Sequence, residues 1–340
     1  MTYLFELNHP KHYYQFKYVM QQLQQNGHTV KVIARDKDVL LSVLNEEKVE
    51  YTIFGKHRKK MIDKIFGTIP ILFNYFSIVR KLKPDVIVSK ASFYGTFTAW
   101  LTRRKSVIFP DSEVVKVTNR YVAPLATKII TPATFGLDFG KKHNRVEGFF
   151  EDCYLNPHVF QPNQQIILKY GLKRPYAIFR FVGWYANHDV GNKGFSTAQI
   201  SEMIQTVEKN MTVYISSEKP LPQDFEKYKL PIPSSLMHHA LAFADLYLGD
   251  SQTMATEAAL LGTPAIRSNS FVGPNDMTNF KVLQNKYHLL FNIAQYEDVL
   301  EQLNKLSSQS QKQEWTEKKD KYFELVGDTN TIITNLLENI

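Results

Sequence analysis

Three groups of residues have types and spacings that could do chemistry. The first is the run DSQTMATEAALLGTP at positions 250–264. Asp250 or Ser251 can cap a helix there. The free backbone N–H groups of Gln252, Thr253 and Met254 would then point out of the helix end, where the dipole favours a phosphate. Thr253 and Glu257 are four residues apart and share one helix face. An acid one turn in from a phosphate-binding end is placed to accept hydrogen bonds from ribose hydroxyls. The plainer alternative stays open, with Glu257 a solvated helix charge and Ser251 only a cap. The second group is His9 and His12, just after an apolar run at the start of the chain. A histidine at a strand end can act as general base near neutral pH, or serve as a cap or surface residue. The third is Lys90, Ser92 and Asp111, each following a short apolar run.

These residues need elements to hold them. Leu246 to Gly249 reads as a buried parallel strand, and Thr253 to Leu261 as a helix. Gly262 stops that helix, Pro264 prevents its return, and Ala265-Ile266-Arg267 begins another strand. Near the start, Tyr3 to Leu7 reads as a strand and Asn8-His9-Pro10 as a turn. A helix from His12 to Gln25 is closed by Asn26-Gly27, and Thr29 to Ala34 is the next strand. No G-x-G-x-x-G follows the first strand, so a dinucleotide fingerprint is not supported. Further strands are predicted at Asp85 to Ser89, Ser106 to Phe109, Lys128 to Thr131, Arg145 to Gly148, Tyr176 to Val182 and Thr212 to Ser216. Such alternation predicts an α/β protein of two Rossmann-like domains. The uncharged, proline-containing stretch YLNPHVFQPNQ marks a linker. It leaves domains at 1–158 and 165–340, with a charged helical stretch from about Gln311 to Ile340. The D-x-D of Asp36-Lys37-Asp38 reads as a loop followed by a helix cap.

Composition narrows the classes. The 340 residues suffice for two cores, and 44% hydrophobic with 22% charged residues is ordinary for a globular protein. The lone Cys153 excludes an intramolecular disulfide and a multi-cysteine zinc site. The opening MTYLFELNHPKHYYQF lacks a basic segment and an apolar core, so no signal peptide is expected. No stretch reaches the roughly 20 apolar residues that span a bilayer. A formal charge of +8 favours anionic partners. Nucleic acid is not expected, because no recognised binding module is present. Lys56 to Lys83 sets the uncharged run IFGTIPILFNYFSIV between basic flanks. That pattern suits the face of an anionic membrane, or equally a buried helix with lysine-rich ends.

Several motifs together carry a resemblance. They are Asn8-His9-Pro10, Gly27-His28, Ala34-Arg35-Asp36, Lys83-Pro84-Asp85, Gly148-Phe149, Asp250-Ser251-Gln252-Thr253-Met254 and Glu257-Ala258-Ala259-Leu260-Leu261-Gly262-Thr263-Pro264. The chain resembles domain-of-unknown-function family 354, a group similar to GT-B glycosyltransferases of the MurG type and to the non-hydrolysing UDP-N-acetylglucosamine 2-epimerases. The resemblance implies a GT-B-like fold of two Rossmann-like domains facing across a cleft, with a final helix that packs back on the first domain. It implies a cytoplasmic, metal-independent glycosyltransferase without a cofactor. The substrate would be a nucleotide-diphosphate sugar and the acceptor a saccharide or lipid-linked molecule, in surface-polysaccharide or glycoconjugate assembly. An enzyme of this kind could lie peripherally on the inner face of the membrane. The resemblance adds Arg180, His188, His238 and Arg267 to Ser251, Gln252, Thr253, Met254 and Glu257 as donor contacts, and favours His9 and His12 as catalytic groups. An epimerase is the alternative, and a binding protein of the same fold without turnover a third reading. Gln252-Thr253 replaces the epimerase double glycine, and Ser268-Asn269-Ser270-Phe271 replaces its acidic stretch. Both departures count against epimerase chemistry.

Overall fold

The computed structural model describes residues 1–37, 39–56, 61–113, 115, 118–181, 195–217 and 220–340, with only the backbone described for 61–67. The chain divides into two units, Met1–Val159 with Asp328–Ile340, and Phe160–Gly327.

Unit 1 begins with β1 (Thr2–Leu7), α1 (Pro10–Gln25), β2 (Thr29–Asp36), α2 (Leu40–Glu46), β3 (Thr52–Lys56) and α3 (Met61–Leu82). It continues with β4 (Val86–Ser89), α4 (Phe93–Leu101), β5 (Lys105–Ile108), β6 (Lys128–Pro132), β7 (His143–Val146) and α5 (Asp152–Leu155). The strands form one sheet in the order β3-β2-β1-β4-β5-β6-β7, and every described pair is parallel. Strand side chains alternate between faces. Leu4, Ile33 and Ile87 meet Ile71, Tyr75 and Val79 of α3 and Ala99 of α4. On the other face Phe5 packs on Phe16 of α1. The D-x-D stretch begins at the last residue of β2, and Val39 occupies the N-cap of α2 without a side-chain bond.

Unit 2 holds α6 (Gln164–Lys169), β8 (Tyr176–Phe181), α7 (Thr197–Glu208), β9 (Thr212–Ser217), α8 (Met237–Phe243), β10 (Leu246–Gly249) and α9 (Gln252–Leu260). Then come β11 (Ala265–Arg267), α10 (Thr278–Asn285), β12 (Leu290–Asn292), α11 (Tyr296–Ser308) and α12 (Lys312–Val326). Its parallel sheet runs β12-β11-β10-β8-β9. Phe179, Val213, Leu248 and Ile266 of the sheet share a core with Ile204 of α7 and Leu303 of α11. The last helix, α13 (Thr329–Glu338), belongs to unit 1. There the Tyr3 hydroxyl donates to the Leu337 carbonyl at 3.0 Å, and the Asn330 amide donates to the Cys153 carbonyl at 2.9 Å.

Each sheet reverses its winding once. In unit 1 the reversal lies between β1 and β4, in unit 2 between β8 and β10. Open α/β sheets bind ligands at such switch points, beyond the carboxyl ends of the strands.

Glu6 is a fully buried carboxyl in the otherwise apolar β1. Burial raises its pKa, partly offset by bonds from Ser92, Asn8 and Tyr75 and by the charge of Arg35. Tyr75 of α3 donates to Oε2 at 3.0 Å, and Asn8 Nδ2 donates to Oε1 at 2.8 Å. A Cβ at Gly95 of α4 would stand 2.5 Å from Glu6 Oε2 and 2.9 Å from the Tyr75 hydroxyl. Gly95→Ala should therefore cost about 1–3 kcal/mol through overpacking, read as a lowered midpoint in urea unfolding. An unchanged midpoint would show that the Glu6 pocket yields.

Candidate functional site

In unit 2 the switch point is built by β8, β10 and α9. Gly249 pairs with Arg180 in parallel register, and the Asp250 N–H donates to the Arg180 carbonyl at 3.2 Å. A Cβ on Gly249 would fall 2.7 Å from that carbonyl, so the close approach requires glycine. Ser251 then caps α9, its hydroxyl accepting from the Met254 N–H at 3.3 Å. Ser251 to Met254 are half-buried, while Ala255 to Leu260 are buried. The first turn thus reaches the surface and the rest of the helix is sealed in the unit. Gly262 follows the C-cap at φ +71°, which favours glycine.

Glu257 is buried one turn into α9, and its Oε1 lies 3.3 Å from Nε2 of His238 on α8. Phe160 meets the His238 ring edge-on at 5.9 Å. The solvated helix charge of the plainer sequence reading is therefore a carboxylate held against an imidazole. Arg180, at the end of β8, donates from Nη1 to Ser216 Oγ at 2.9 Å. Beside Asp250 opens a cavity of about 510 Å³, lined by Ser268, Asn269, Gln295 and Tyr296 among others. Its walls offer acidic and neutral hydrogen-bonding groups with two aromatic rings, Phe195 and Tyr296, 6.2 Å apart.

In unit 1 the switch point gathers the ends of β1, β4 and β5. His9 is the N-cap of α1, its Nδ1 accepting from the Lys11 N–H at 3.1 Å. His12 Nδ1 accepts from the Asn8 N–H at 3.2 Å. In the neutral ring each proton then sits on Nε2. Burial, with Lys90 adding to it, pushes the pKa of His12 down to about 3. Lys90, its side chain nearly sealed, pairs with Asp111 at 3.1 Å and lies 4.1 Å from the Phe150 ring centre. Lys11 pairs with Glu151 at 2.8 Å. Burial alone would raise the Asp111 carboxyl, but Lys90 and Lys11 outweigh it and hold it well below the usual range. Its side chain remains 46% exposed. An exposed, firmly ionised carboxylate thus stands within electrostatic reach of His12.

Comparison with known proteins now places the chain. A family model described as "Protein of unknown function (DUF354)" matches residues 3–333. The chain belongs to the DUF354 family. It is 24% identical over 291 residues to the UDP-N-acetylglucosamine–N-acetylmuramyl-(pentapeptide) pyrophosphoryl-undecaprenol N-acetylglucosamine transferase of Blochmanniella floridana, covering 80% of this chain and 77% of the relative. Among solved structures it is similar to the UDP-GlcNAc 2-epimerase of Neisseria meningitidis bound to UDP-GlcNAc, at TM-score 0.67 and 12% identity with both chains fully covered. Acinetobacter baumannii MurG gives 0.63 and 16%, again over the whole of both chains. The spinosyn forosaminyltransferase SpnP gives 0.67 and 13%, over 99% and 98%. The DUF354 chain therefore has the GT-B-like fold, in two Rossmann-like units.

Within this DUF354 protein the expected donor residues separate. Ser251, Gln252, Thr253, Met254, Glu257 and His238 come together around α9, with Arg180 on the adjacent strand. Arg267 does not join them as an accessible group. It is fully buried, grips Asp276 with both terminal nitrogens at 2.6 and 3.1 Å, and stacks 3.6 Å from the Phe280 ring centre. Its guanidinium is spent on packing the loop after β11, which corrects its assignment as a donor contact. His188 lies outside the described residues. The general-base role of His12 is also corrected, because its lone-pair nitrogen already accepts a backbone proton and the imidazolium is strongly disfavoured. His9 is exposed, with Nδ1 engaged in the same way. Asp111, grouped in the sequence with Lys90 and Ser92, is distinguished by its pairing with Lys90. Among the described residues no three His, Cys, Asp or Glu side chains are placed to hold a metal ion.

Two tests follow from this geometry. Glu257→Gln and His238→Ala should each destabilise the protein by about 1–3 kcal/mol, since each leaves a buried polar partner less satisfied. Their double-mutant cycle should show a coupling above about 0.5 kcal/mol, and additive values would mean the two groups act independently. The second test is acid titration of stability. His12 has its folded pKa below its ordinary value, so the unfolded chain takes up this proton first as pH falls. Its contribution is fully present above about pH 6.5 and is lost toward pH 3, at no more than about 1.4 kcal/mol per pH unit. Denaturant titrations of the protein and of His12→Gln should diverge in that window and run parallel above it.

Proposed function

We propose that this protein is a glycosyltransferase that uses a nucleotide-diphosphate sugar. The observation that carries the reading is Glu257, a buried carboxylate one turn inside a helix whose Ser251-capped end reaches the surface at the switch point of unit 2. In this proposal the Gln252 and Thr253 N–H groups and Arg180 hold the diphosphate, and Glu257 accepts from the ribose hydroxyls. His238 borders the base, and the cavity beside Asp250 takes the sugar. Charge developing on the leaving diphosphate is stabilised by the helix end and the guanidinium, with no cofactor invoked. In unit 1, the ionised Asp111 accepts a hydrogen bond from the acceptor saccharide, and the Nε2–H groups of His9 and His12 are donors at the same switch point. The acceptor is a saccharide or a lipid-linked saccharide, in surface-polysaccharide or glycoconjugate assembly. The likeness to a transferase with an undecaprenol-linked substrate in its name supports that class. A single, buried cysteine agrees with a cytoplasmic setting. No described helix is long and apolar enough to cross a membrane.

Epimerisation is the second reading, supported by the fold shared with UDP-GlcNAc 2-epimerases. Incubation with a panel of nucleotide sugars separates the two. Nucleoside diphosphate released only with acceptor supports transfer, and sugar interconversion without acceptor supports epimerisation. Tight binding with neither product would leave a binding protein. For a transferase, Glu257→Gln should weaken donor affinity roughly 10- to 100-fold by calorimetry. Asp111→Asn should keep donor affinity and lower turnover about 10- to 100-fold, through loss of a charge-assisted hydrogen bond to the acceptor. Normal turnover in Asp111→Asn would remove it from the reaction.

A further inference from the structure

We propose that Tyr247 is a further donor-site residue, its hydroxyl donating a hydrogen bond to the diphosphate seated at the start of α9. The inference rests on the nucleotide-sugar reading of unit 2 and adds a residue to it. Tyr247 is fully buried in β10, and its hydroxyl has no hydrogen-bond partner among the described residues. Other buried tyrosines are satisfied. Tyr176 donates to the Ala240 carbonyl at 2.6 Å, Tyr75 to Glu6 at 3.0 Å and Tyr3 to the Leu337 carbonyl at 3.0 Å. A buried hydroxyl without a partner costs stability, and native folds keep few of them. Strand alternation puts Tyr247 and Gly249 on one face of β10. A Cβ on Gly249 would collide with the Tyr247 hydroxyl and stand 2.9 Å from the ring carbon that bears it. The ring therefore lies along the strand toward its carboxyl end, and the hydroxyl fills the space that glycine leaves.

The place of that space decides what the hydroxyl can do. In parallel register Gly249 stands between Arg180 of β8 and Arg267 of β11. The Asp250 N–H is bonded to the Arg180 carbonyl, and the next residue caps α9. The hydroxyl thus lies at the strand edge from which α9 starts. Burial pushes the phenol well above its ordinary range, with Asp250 and Glu257 adding to burial and Arg180 and Arg267 opposing it. The group therefore stays a neutral O–H donor around neutral pH. An anion is the acceptor this edge attracts, because the Gln252 and Thr253 N–H groups and Arg180 all favour one there. Backbone N–H groups at a helix end serve many anions. A phenol wedged over a glycine offers its proton from one fixed place, and so helps to set where a phosphate oxygen stands. In the sequence Tyr247 reads only as part of the short apolar run Leu246 to Gly249.

Calorimetric titration of the parent and of Tyr247→Phe tests it, with UDP as the first probe and the other nucleoside diphosphates after it. The substitution removes one oxygen and no carbon. It should weaken diphosphate binding about 10- to 100-fold, the worth of a hydrogen bond to a charged acceptor. Affinity for the free nucleoside, read by ligand-observed NMR, should not change, because that molecule has no phosphate. The ligand-free variant should melt at the parent's temperature or above it, since the hydroxyl has no partner to lose. A tyrosine with a purely structural role gives the opposite pattern, a lowered melting temperature with affinity unchanged, and that result would overturn the proposal. So would equal losses for nucleoside and diphosphate, which would put the hydroxyl on the ribose or the base. A parent that binds UDP while Tyr247→Phe binds it equally well removes Tyr247 alone. A parent that binds no nucleoside diphosphate overturns the donor reading itself, and this proposal with it.

Discussion

Parallel pairing is the constraint on which the rest depends. A parallel strand cannot be reached by a tight turn, so the chain must cross back through a helix each time. Every strand then ends at the same edge of its sheet. The loops that leave that edge are the only short segments free to vary, and the chemistry collects on them. Ser251, Arg180, Asp111 and His9 are far apart in sequence yet lie at such edges, two in each unit. At the reversal of winding the departing loops diverge and leave an opening that neither helix layer fills.

Charge has been taken into both units close to those edges, and the three described cases that follow are partnered. Arg267 has a bidentate carboxylate and a ring, Glu6 a hydroxyl and an amide, Lys90 a carboxylate and a ring. An ion removed from water costs several kcal/mol unless geometry returns it, so such pairs hold their loops in one arrangement. Their value lies in fixing where Asp111 and the loop after β11 stand, more than in raising stability.

Much of this could be read from the residues alone. The helix after Ser251, its stop at Gly262 and the first crossover around Asn8-His9-Pro10 are local features, set by caps, a positive φ and hydrophobic period. What escaped was set by partners remote in sequence. Glu6 sits in TYLFEL, and nothing there announces Tyr75. Lys90 and Asp111 meet only because β4 and β5 are neighbours. Arg267 looks like a strand-end ligand until Asp276, in the loop beyond, folds back on it. Glu257 was legible as a site residue but not as a buried one, since its imidazole partner comes from a separate helix.

The return of α13 bears on biosynthesis. Unit 2 is one uninterrupted segment, whereas unit 1 is closed by residues that follow it. Chains emerge from the ribosome at about 5–20 residues per second, amino end first. The first seven strands are therefore made well before the helix that supplies the Leu337 carbonyl to Tyr3 and the Asn330 amide to Cys153. In that interval α1 lacks the helix that packs against it, while unit 2 is one contiguous piece. Order of completion is thus inverted relative to order of synthesis, because unit 1 begins first and is closed last.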